Sequence, residues 1–362
     1  MSMGEAIGAG PILVTGGAGF IGSNLADRLA SEGRRVNILD SLSRPGVQAN
    51  LDWLTSRHGD LIRPILADIR DIPAVNAAAQ DISAAFHFAA QVAVTTSMAD
   101  PRADLDINIL GTFNVLEAVR AANPQAPVIF ASTNKVYGDL SGFAMERTEE
   151  GHVPEDAALA AYGVSEAQPL DFHTPYGCSK GAADQYVLDY ARSYGMRAAV
   201  LRMSCIYGRR QMGTEDQGWV AHFLIRALEG ETITLFGDGR QVRDICDVAD
   251  TVDAYLAVLR KIDSISGQAF NWGGGSANAV SLLTLIEEIG RITGRNPQVE
   301  FSGWRPGDQR WFVADTRRAD AALGLPPRTP WREGLRNLAH WLSEARGLPL
   351  ASADRQPQAA AL

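Results

Sequence analysis

Tyr176 and Lys180 are residues whose types and spacing together imply chemistry. In Tyr176-Gly177-Cys178-Ser179-Lys180 they stand four apart, which puts both on one face of a helix. A cation beside a phenol draws its pKa down towards working pH. The tyrosinate can then take a hydroxyl proton while the carbon that bears the hydroxyl is oxidised. Thr133 closes the run Val128-Ile129-Phe130-Ala131-Ser132-Thr133. That run reads as a buried strand whose C-terminal end is where open α/β sheets bind ligands, so the Thr133 hydroxyl can hydrogen-bond the same substrate. A Tyr-x-x-x-Lys pair alone is as readily an ordinary pair on a helix surface. A binding site for an electron acceptor would distinguish the two.

Such a site is implied by Ile12-Leu13-Val14-Thr15-Gly16-Gly17-Ala18-Gly19-Phe20-Ile21-Gly22. A short β-prone run is followed by glycines at three-residue spacing and then by a helical pattern. Gly16 suits the tight bend, Gly19 the close approach of backbone to a pyrophosphate, and Gly22 the close packing of helix on strand. The helix start, with Phe20 and Ile21, aims unpaired N–H groups and a partial positive charge at the phosphates. Asp40 ends the next apolar run, Val36-Asn37-Ile38-Leu39, at the distance where an acid accepts from the adenosine ribose hydroxyls. A carboxylate there repels a 2′-phosphate, so the expected cofactor is NAD and not NADP. The cation of its nicotinamide would add to that of Lys180 in lowering the Tyr176 phenol.

These groups need a scaffold, and the chain supplies strands alternating with helices. After the first strand, the helix continues over 24–32 and Gly33 ends it. Further strands are expected over 61–66, 84–90, 128–131 and 198–203, with helices over 106–122 and 174–195. The alternation implies an α/β fold with a doubly wound parallel, Rossmann-type sheet. Residues 139–173 read as a long polar insertion loop, and such loops are often functional. From Gly208 the alternation decays into short helices, Gly-Asp-Gly turns and Trp-rich loops. The expected division is an NAD-binding domain over 1–207, mainly a substrate-binding lobe over 208–350, and a disordered tail over 351–362. Residues 1–10 read as a loose leader, and His87 is expected to pack near the cofactor.

Composition narrows the function classes. The 362 residues are 46% hydrophobic and 21% charged, as in ordinary globular proteins. A net charge of −9 argues against a general nucleic-acid binder. No apolar run reaches the length of a membrane span, and no basic-then-apolar signal pattern opens the chain. Cys178, Cys205 and Cys246 are few and widely spaced, which suggests reduced thiols in a cytoplasmic protein and no metal site.

The motifs together resemble the extended short-chain dehydrogenase/reductase family of nucleotide-sugar enzymes. The likeness rests on the glycine turn, Asp68-Ile69-Arg70, His87-Phe88-Ala89-Ala90, Asn108, Thr133 before Val136-Tyr137-Gly138, Tyr176 with Lys180, and Arg202. It implies that Asp40 holds the ribose, Asp68 and Ile69 bracket the adenine, and Ala89 and Ala90 line the cofactor. It also implies that Tyr176 is the base and that Lys180 binds the nicotinamide ribose. Family members that remove water follow the active threonine with Asp-Glu, whereas this chain has Asn134-Lys135, so dehydration is disfavoured. Leu170 to Tyr186, Asp216-Gln217-Gly218-Trp219-Val220, Gln241-Val242-Arg243-Asp244 and Asp308-Gln309-Arg310 are similar to the branch that inverts carbon 2 of CDP-sugars, the CDP-paratose/CDP-tyvelose type.

The resemblance implies transient oxidation at carbon 2, rotation of the sugar and re-reduction. Arg243 and Arg310 are the candidates for the diphosphate, Trp219 for covering base or sugar, and Asn134 and Lys135 for the sugar hydroxyls or the keto oxygen. In proteins resembling this one, the helices at 106–122 and 176–194 pair across a two-fold axis, so a homodimer or homotetramer is expected. Two other readings stay open at this stage. One is a different nucleotide-sugar epimerase or a net oxidoreductase. The other is an NAD-sensing regulator, against which the Thr133, Tyr176 and Lys180 set argues.

Overall fold

The structure is a computed structural model that describes residues 8–350. Strand Ile12–Thr15 is buried along its whole length, as a strand covered on both faces must be. It pairs in parallel with Val36–Asp40 on one side and Ala84–His87 on the other. Seven strands complete the sheet in the order Gln268–Trp272, Ala198–Met203, Val128–Thr133, Ala84–His87, Ile12–Thr15, Val36–Asp40, Ile62–Leu66. All neighbours run parallel, and helices cover both faces. The doubly wound sheet expected from the alternation is the one that forms.

Helix Phe20–Ser31 buries Gly22, Leu25, Ala26 and Leu29 on one stripe, the spacing that seats a helix on a sheet. Helix Thr174–Tyr194 has proline in its first turn and ends at Gly195 in the left-handed region. The segment expected as one helix over 106–122 opens with a π-helical turn, Asp106–Leu110, before helix Gly111–Ala122. The fourth strand stops at His87, and Phe88 to Ala90 leave the sheet.

Two expectations about organisation need correcting. The segment 139–173 is not a loop throughout. Met145–Arg147 and His152–Pro154 pair antiparallel, and helix Ala157–Tyr162 follows. The Glu166 carboxylate also accepts from the amide of Asn271 at 2.7 Å. Nor does the dinucleotide-binding fold end at residue 207. Helix Val248–Ile265 shares a core with Leu25 and Leu29, and Gln268–Trp272 adds the last strand beside Ala198–Met203. The edge of Ala198–Met203 would otherwise expose a row of unpaired backbone groups.

The remaining C-terminal residues form the smaller lobe. Strand Val242–Asp247 pairs there with Ala279–Ser281, Trp311–Phe312 and Cys205–Tyr207. Helices Trp219–Glu229, Leu282–Thr293 and Trp331–Arg346 close a separate core around Phe223, Leu235, Ile289 and Leu335. No helix among the described residues is long and apolar enough to cross a membrane. The tail over 351–362 and most of the leader lie outside the described residues. The leader's last residues are held, since the carbonyls of Gly8 and Gly10 accept from Arg34.

Candidate functional site

One cleft of about 1160 Å³ lies between the C-terminal ends of the strands and the smaller lobe. Gly16, Gly19, Phe20, Ile21, Gly22, Asp40, Asp68, Ile69, Ala89 and Ala90 border it at one end. Gly16 has φ +66°, and a Cβ there would stand 2.6 Å from the amide nitrogen of Ala89. A Cβ on Gly22 would strike the carbonyl of Gly16. Only glycine allows the turn and the helix to pack this closely. The first amides of helix Phe20–Ser31 have no partner within the helix. Asp40 accepts from the amides of Ala18 at 3.0 Å and Leu42 at 2.9 Å, which fixes its carboxylate at the end of the second strand. Burial pushes its pKa up, against the pull of these amides. The buried Ser132 Oγ has no partner among the described residues and belongs to the same wall. A dinucleotide fits this set: unpaired amides for a pyrophosphate, an acid for ribose hydroxyls and an unpartnered hydroxyl further along.

Thr133, Tyr176 and Lys180 form the middle of the wall. Thr133 is the last residue of its strand, and Tyr176 lies in the first turn of the helix that packs on that strand. The Tyr176 amide donates to Ser97 Oγ at 3.1 Å. Asn108, in the π turn, donates to Ser179 Oγ at 2.9 Å, tying the next turn down. Lys180 Nζ donates to the carbonyl of Ala131 at 2.7 Å and lies 4.1 Å from the centre of the Phe130 ring. Burial pushes the Lys180 pKa down to about 7, with Asp184 and Asp104 opposing. Burial pushes the Tyr176 phenol up to about 12, while a hydrogen bond with Thr133 pulls it down. Among these residues desolvation is the largest effect on the phenol, and the Lys180 ammonium is directed at the Ala131 carbonyl.

The other end of the cleft is lined by the smaller lobe. Asn134, Lys135, Trp219 and Arg243 border it. Arg243 is buried and anchored, with Nη2 donating to Asp308 Oδ1 at 2.7 Å and to the carbonyl of Gln309 at 2.5 Å. Lys135 Nζ donates to the carbonyl of Gly307 at 2.9 Å, and burial pushes its pKa down. Trp219 Nε1 donates to Cys205 Sγ at 3.3 Å. The Asn134 amide engages protein groups on both sides, Gln309 at 3.1 Å and Thr133 at 3.3 Å.

Arg310 is the one proposed site residue that the fold does not bring to the cleft. It is exposed, 6.0 Å from the centre of the Trp304 ring. Gln309 turns fully inward, and the next residue along the chain turns outward. Arg305 stands on the cleft wall instead, 3.7 Å from the centre of the Phe236 ring and paired with Glu215 at 3.0 Å. His87 does not border the cleft either. It lies behind the wall, between Thr15 and Thr112. Sequence reasoning gave no role to Ser132, Arg305, Asp308 or Gln309, the last two standing only within a motif that carried the resemblance. Ser132 could have been found from its place next to Thr133 at the strand end, whereas residues 303–310 carry no periodicity from which to read facing.

The pattern of the NAD dependent epimerase/dehydratase family matches residues 12–273. A CDP-paratose 2-epimerase from Salmonella typhi is 40% identical over 343 residues, covering 92% of this chain and 99% of that one. Among solved structures, UDP-glucuronic acid 4-epimerase from Bacillus cereus, in complex with UDP-glucuronic acid and NAD, superposes with a TM-score of 0.80. It is 28% identical, over 92% of this chain and 99% of its own. UDP-glucose 4-epimerase from Thermus thermophilus, in complex with NAD, gives a TM-score of 0.78 and 30% identity, over 92% and 99%.

Proposed function

The chain belongs to the NAD dependent epimerase/dehydratase family, and we propose that it inverts carbon 2 of a CDP-linked 3,6-dideoxyhexose of the paratose and tyvelose type. It is an NAD-dependent nucleotide-sugar epimerase; the carbon, the sugar and the base are the proposal. The observation that carries it is the 40% identity to a CDP-paratose 2-epimerase across 99% of that protein, which takes in both lobes. Asn134-Lys135 after Thr133, where an acid pair would serve dehydration, supports the same reading.

Carbon 2 of such a sugar has no carbonyl neighbour, so its C–H is not acidic and removal of a proton is not a route. Bound NAD would supply what the side chains lack, a reversible hydride acceptor and, when oxidised, a positive charge beside the phenol. Tyr176 takes the proton of the 2-hydroxyl and later returns it. Thr133 fixes the position of that hydroxyl. Lys180, held by the Ala131 carbonyl, keeps its ammonium against the strand. Between the two proton transfers the 2-keto sugar must present its other face. Arg243 and Arg305 hold the nucleotide while the cleft leaves the sugar room to turn. The three free cysteines support the cytoplasmic setting.

The test is to run the reaction in ordinary water with CDP-paratose carrying deuterium at carbon 2. Retention of the label in the epimer is expected, because the hydrogen leaves and returns within one site. Solvent hydrogen at carbon 2 would exclude this mechanism, and no turnover of CDP-paratose would exclude this substrate.

A further inference from the structure

Gln309 is fully buried and does not border the cleft, yet its side chain acts towards it. Its amide nitrogen donates to the carbonyl of Gly138 at 2.7 Å. Its amide oxygen accepts from Asn134 Nδ2 at 3.1 Å. A carbonyl can only accept, so Gly138 decides which end of the Gln309 amide faces which way. Gln309 in turn decides Asn134, whose nitrogen faces Gln309 and whose oxygen faces Thr133. The Thr133 hydroxyl donates to that oxygen at 3.3 Å, and the amide of Lys135 donates to the hydroxyl oxygen at 3.2 Å. The direction of each bond in the chain from Gly138 to Thr133 thus follows from one backbone carbonyl.

We propose that Gln309 is a positioning residue: through Asn134 it competes with Tyr176 for the single proton of the Thr133 hydroxyl. The inference rests on the reading of Tyr176 as the base. A threonine hydroxyl has one proton to give. Given to the Tyr176 oxygen, it would stabilise the phenolate. Given to Asn134, it is withheld from the phenolate, and the phenol keeps a higher pKa. The Gln309 carbonyl also accepts from Arg243 at 2.5 Å. One residue therefore joins the proposed diphosphate arginine to the proton of the triad.

The test reads the phenol directly, without turnover. Holoenzyme labelled with carbon-13 at the tyrosine ring carbon that bears oxygen is titrated by NMR, with the Tyr176 signal assigned by its loss in Tyr176→Phe. In Gln309→Met and in Asn134→Ala the midpoint should fall by about 0.5–1 pH unit, the worth of one hydrogen bond. The double variant should fall no further. In a Thr133→Val background neither substitution should move the midpoint, because the effect runs through the Thr133 proton. An unmoved midpoint in either variant that retains its cofactor overturns the inference. So does a shift that persists in Thr133→Val, which would indicate added solvent. Should Gln309→Met fail to fold, Asn134→Ala decides. A fully active Tyr176→Phe would instead remove the reading of the base on which the inference rests.

Discussion

Arg202 and Asp184 face each other as a two-pronged ion pair, Nε to Oδ2 at 3.0 Å and Nη2 to Oδ1 at 2.9 Å, with both side chains buried. Arg202 belongs to strand Ala198–Met203 and Asp184 to helix Thr174–Tyr194. The pair therefore sets how far along the sheet, and at what rotation, Tyr176 and Lys180 stand. Arg202 Nη1 also donates to the Tyr137 hydroxyl at 3.1 Å, which donates to Asn271 at 2.8 Å. Asp184→Asn leaves a buried guanidinium without its counter-charge. Loss of one partner of a buried pair costs about 3–5 kcal/mol, to be read from urea unfolding. A loss under about 1 kcal/mol would mean that the guanidinium is as well off without the carboxylate.

Tyr176→Phe keeps the ring on the cleft wall and removes the hydroxyl proposed to move the proton. Activity should fall about 100- to 10,000-fold, the usual contribution of a general acid–base group. Cofactor released from the denatured variant should match the wild-type amount. Loss of cofactor together with activity would make the hydroxyl a binding group and not the base.

His87 should make stability depend on pH. Its Nδ1 lies 2.6 Å from Thr15 Oγ1 and its Nε2 lies 2.9 Å from Thr112 Oγ1. Thr112 gives its own proton to the Asn108 carbonyl, so Nε2 donates and Nδ1 accepts. Burial, with a smaller effect from Lys180, pushes the His87 pKa down to about 3 from the usual 6.5. The unfolded chain therefore binds a proton that the folded chain refuses. Stability from this residue is present above pH 6.5 and is lost as pH falls towards 3, at up to about 1.4 kcal/mol per pH unit. Burial pushes Asp244 and Asp247 up to about 6, an effect of opposite sign, but it is common to wild type and variant. Unfolding by urea at pH 7 and pH 5 should show a smaller loss in His87→Gln than in wild type. Equal losses would mean that His87 takes up its proton while folded.

Phe113 and Tyr186 remain 41% and 45% exposed although their rings meet edge to face at 6.3 Å. Leu110, one turn before Phe113, is also exposed. An apolar patch shared by two helices is what a self-association surface requires. We expect at least a homodimer by light scattering at micromolar concentration. Tyr186→Asp should shift it towards monomer; a monomeric wild type would overturn the expectation.

The parts legible in the sequence were those fixed by local chemistry. The glycine turn, Asp40 at a strand end, and the pair Tyr176 and Lys180 each need only neighbours within a few residues. Placing Arg310 in the cleft failed because the facing of residues 303–310 is set by tertiary contacts. Gln309 is turned inward by Gly138 and Asn134, both far away in sequence. The boundary at 207 failed for a related reason. Helix Val248–Ile265 and strand Gln268–Trp272 resume the alternation only after an interruption by small strands, and no local signal ties them to the sheet. Asn134 shows the remaining gap: its residue type suggested a sugar ligand, whereas its partners are Gln309 and Thr133.

The last strand of the sheet also bears on how the protein is made. Strand Ala198–Met203 leaves the ribosome well before Gln268–Trp272, its outer neighbour. During that interval of translation the nascent chain holds an open hydrophobic edge, and most of the smaller lobe's helices are not yet synthesised. Helix Val248–Ile265, which packs over Leu25 and Leu29, is likewise missing. The dinucleotide-binding half therefore cannot finish as an autonomous unit on the ribosome. Its completion waits for residues that emerge after part of the substrate lobe, and until then that edge has no outer neighbour.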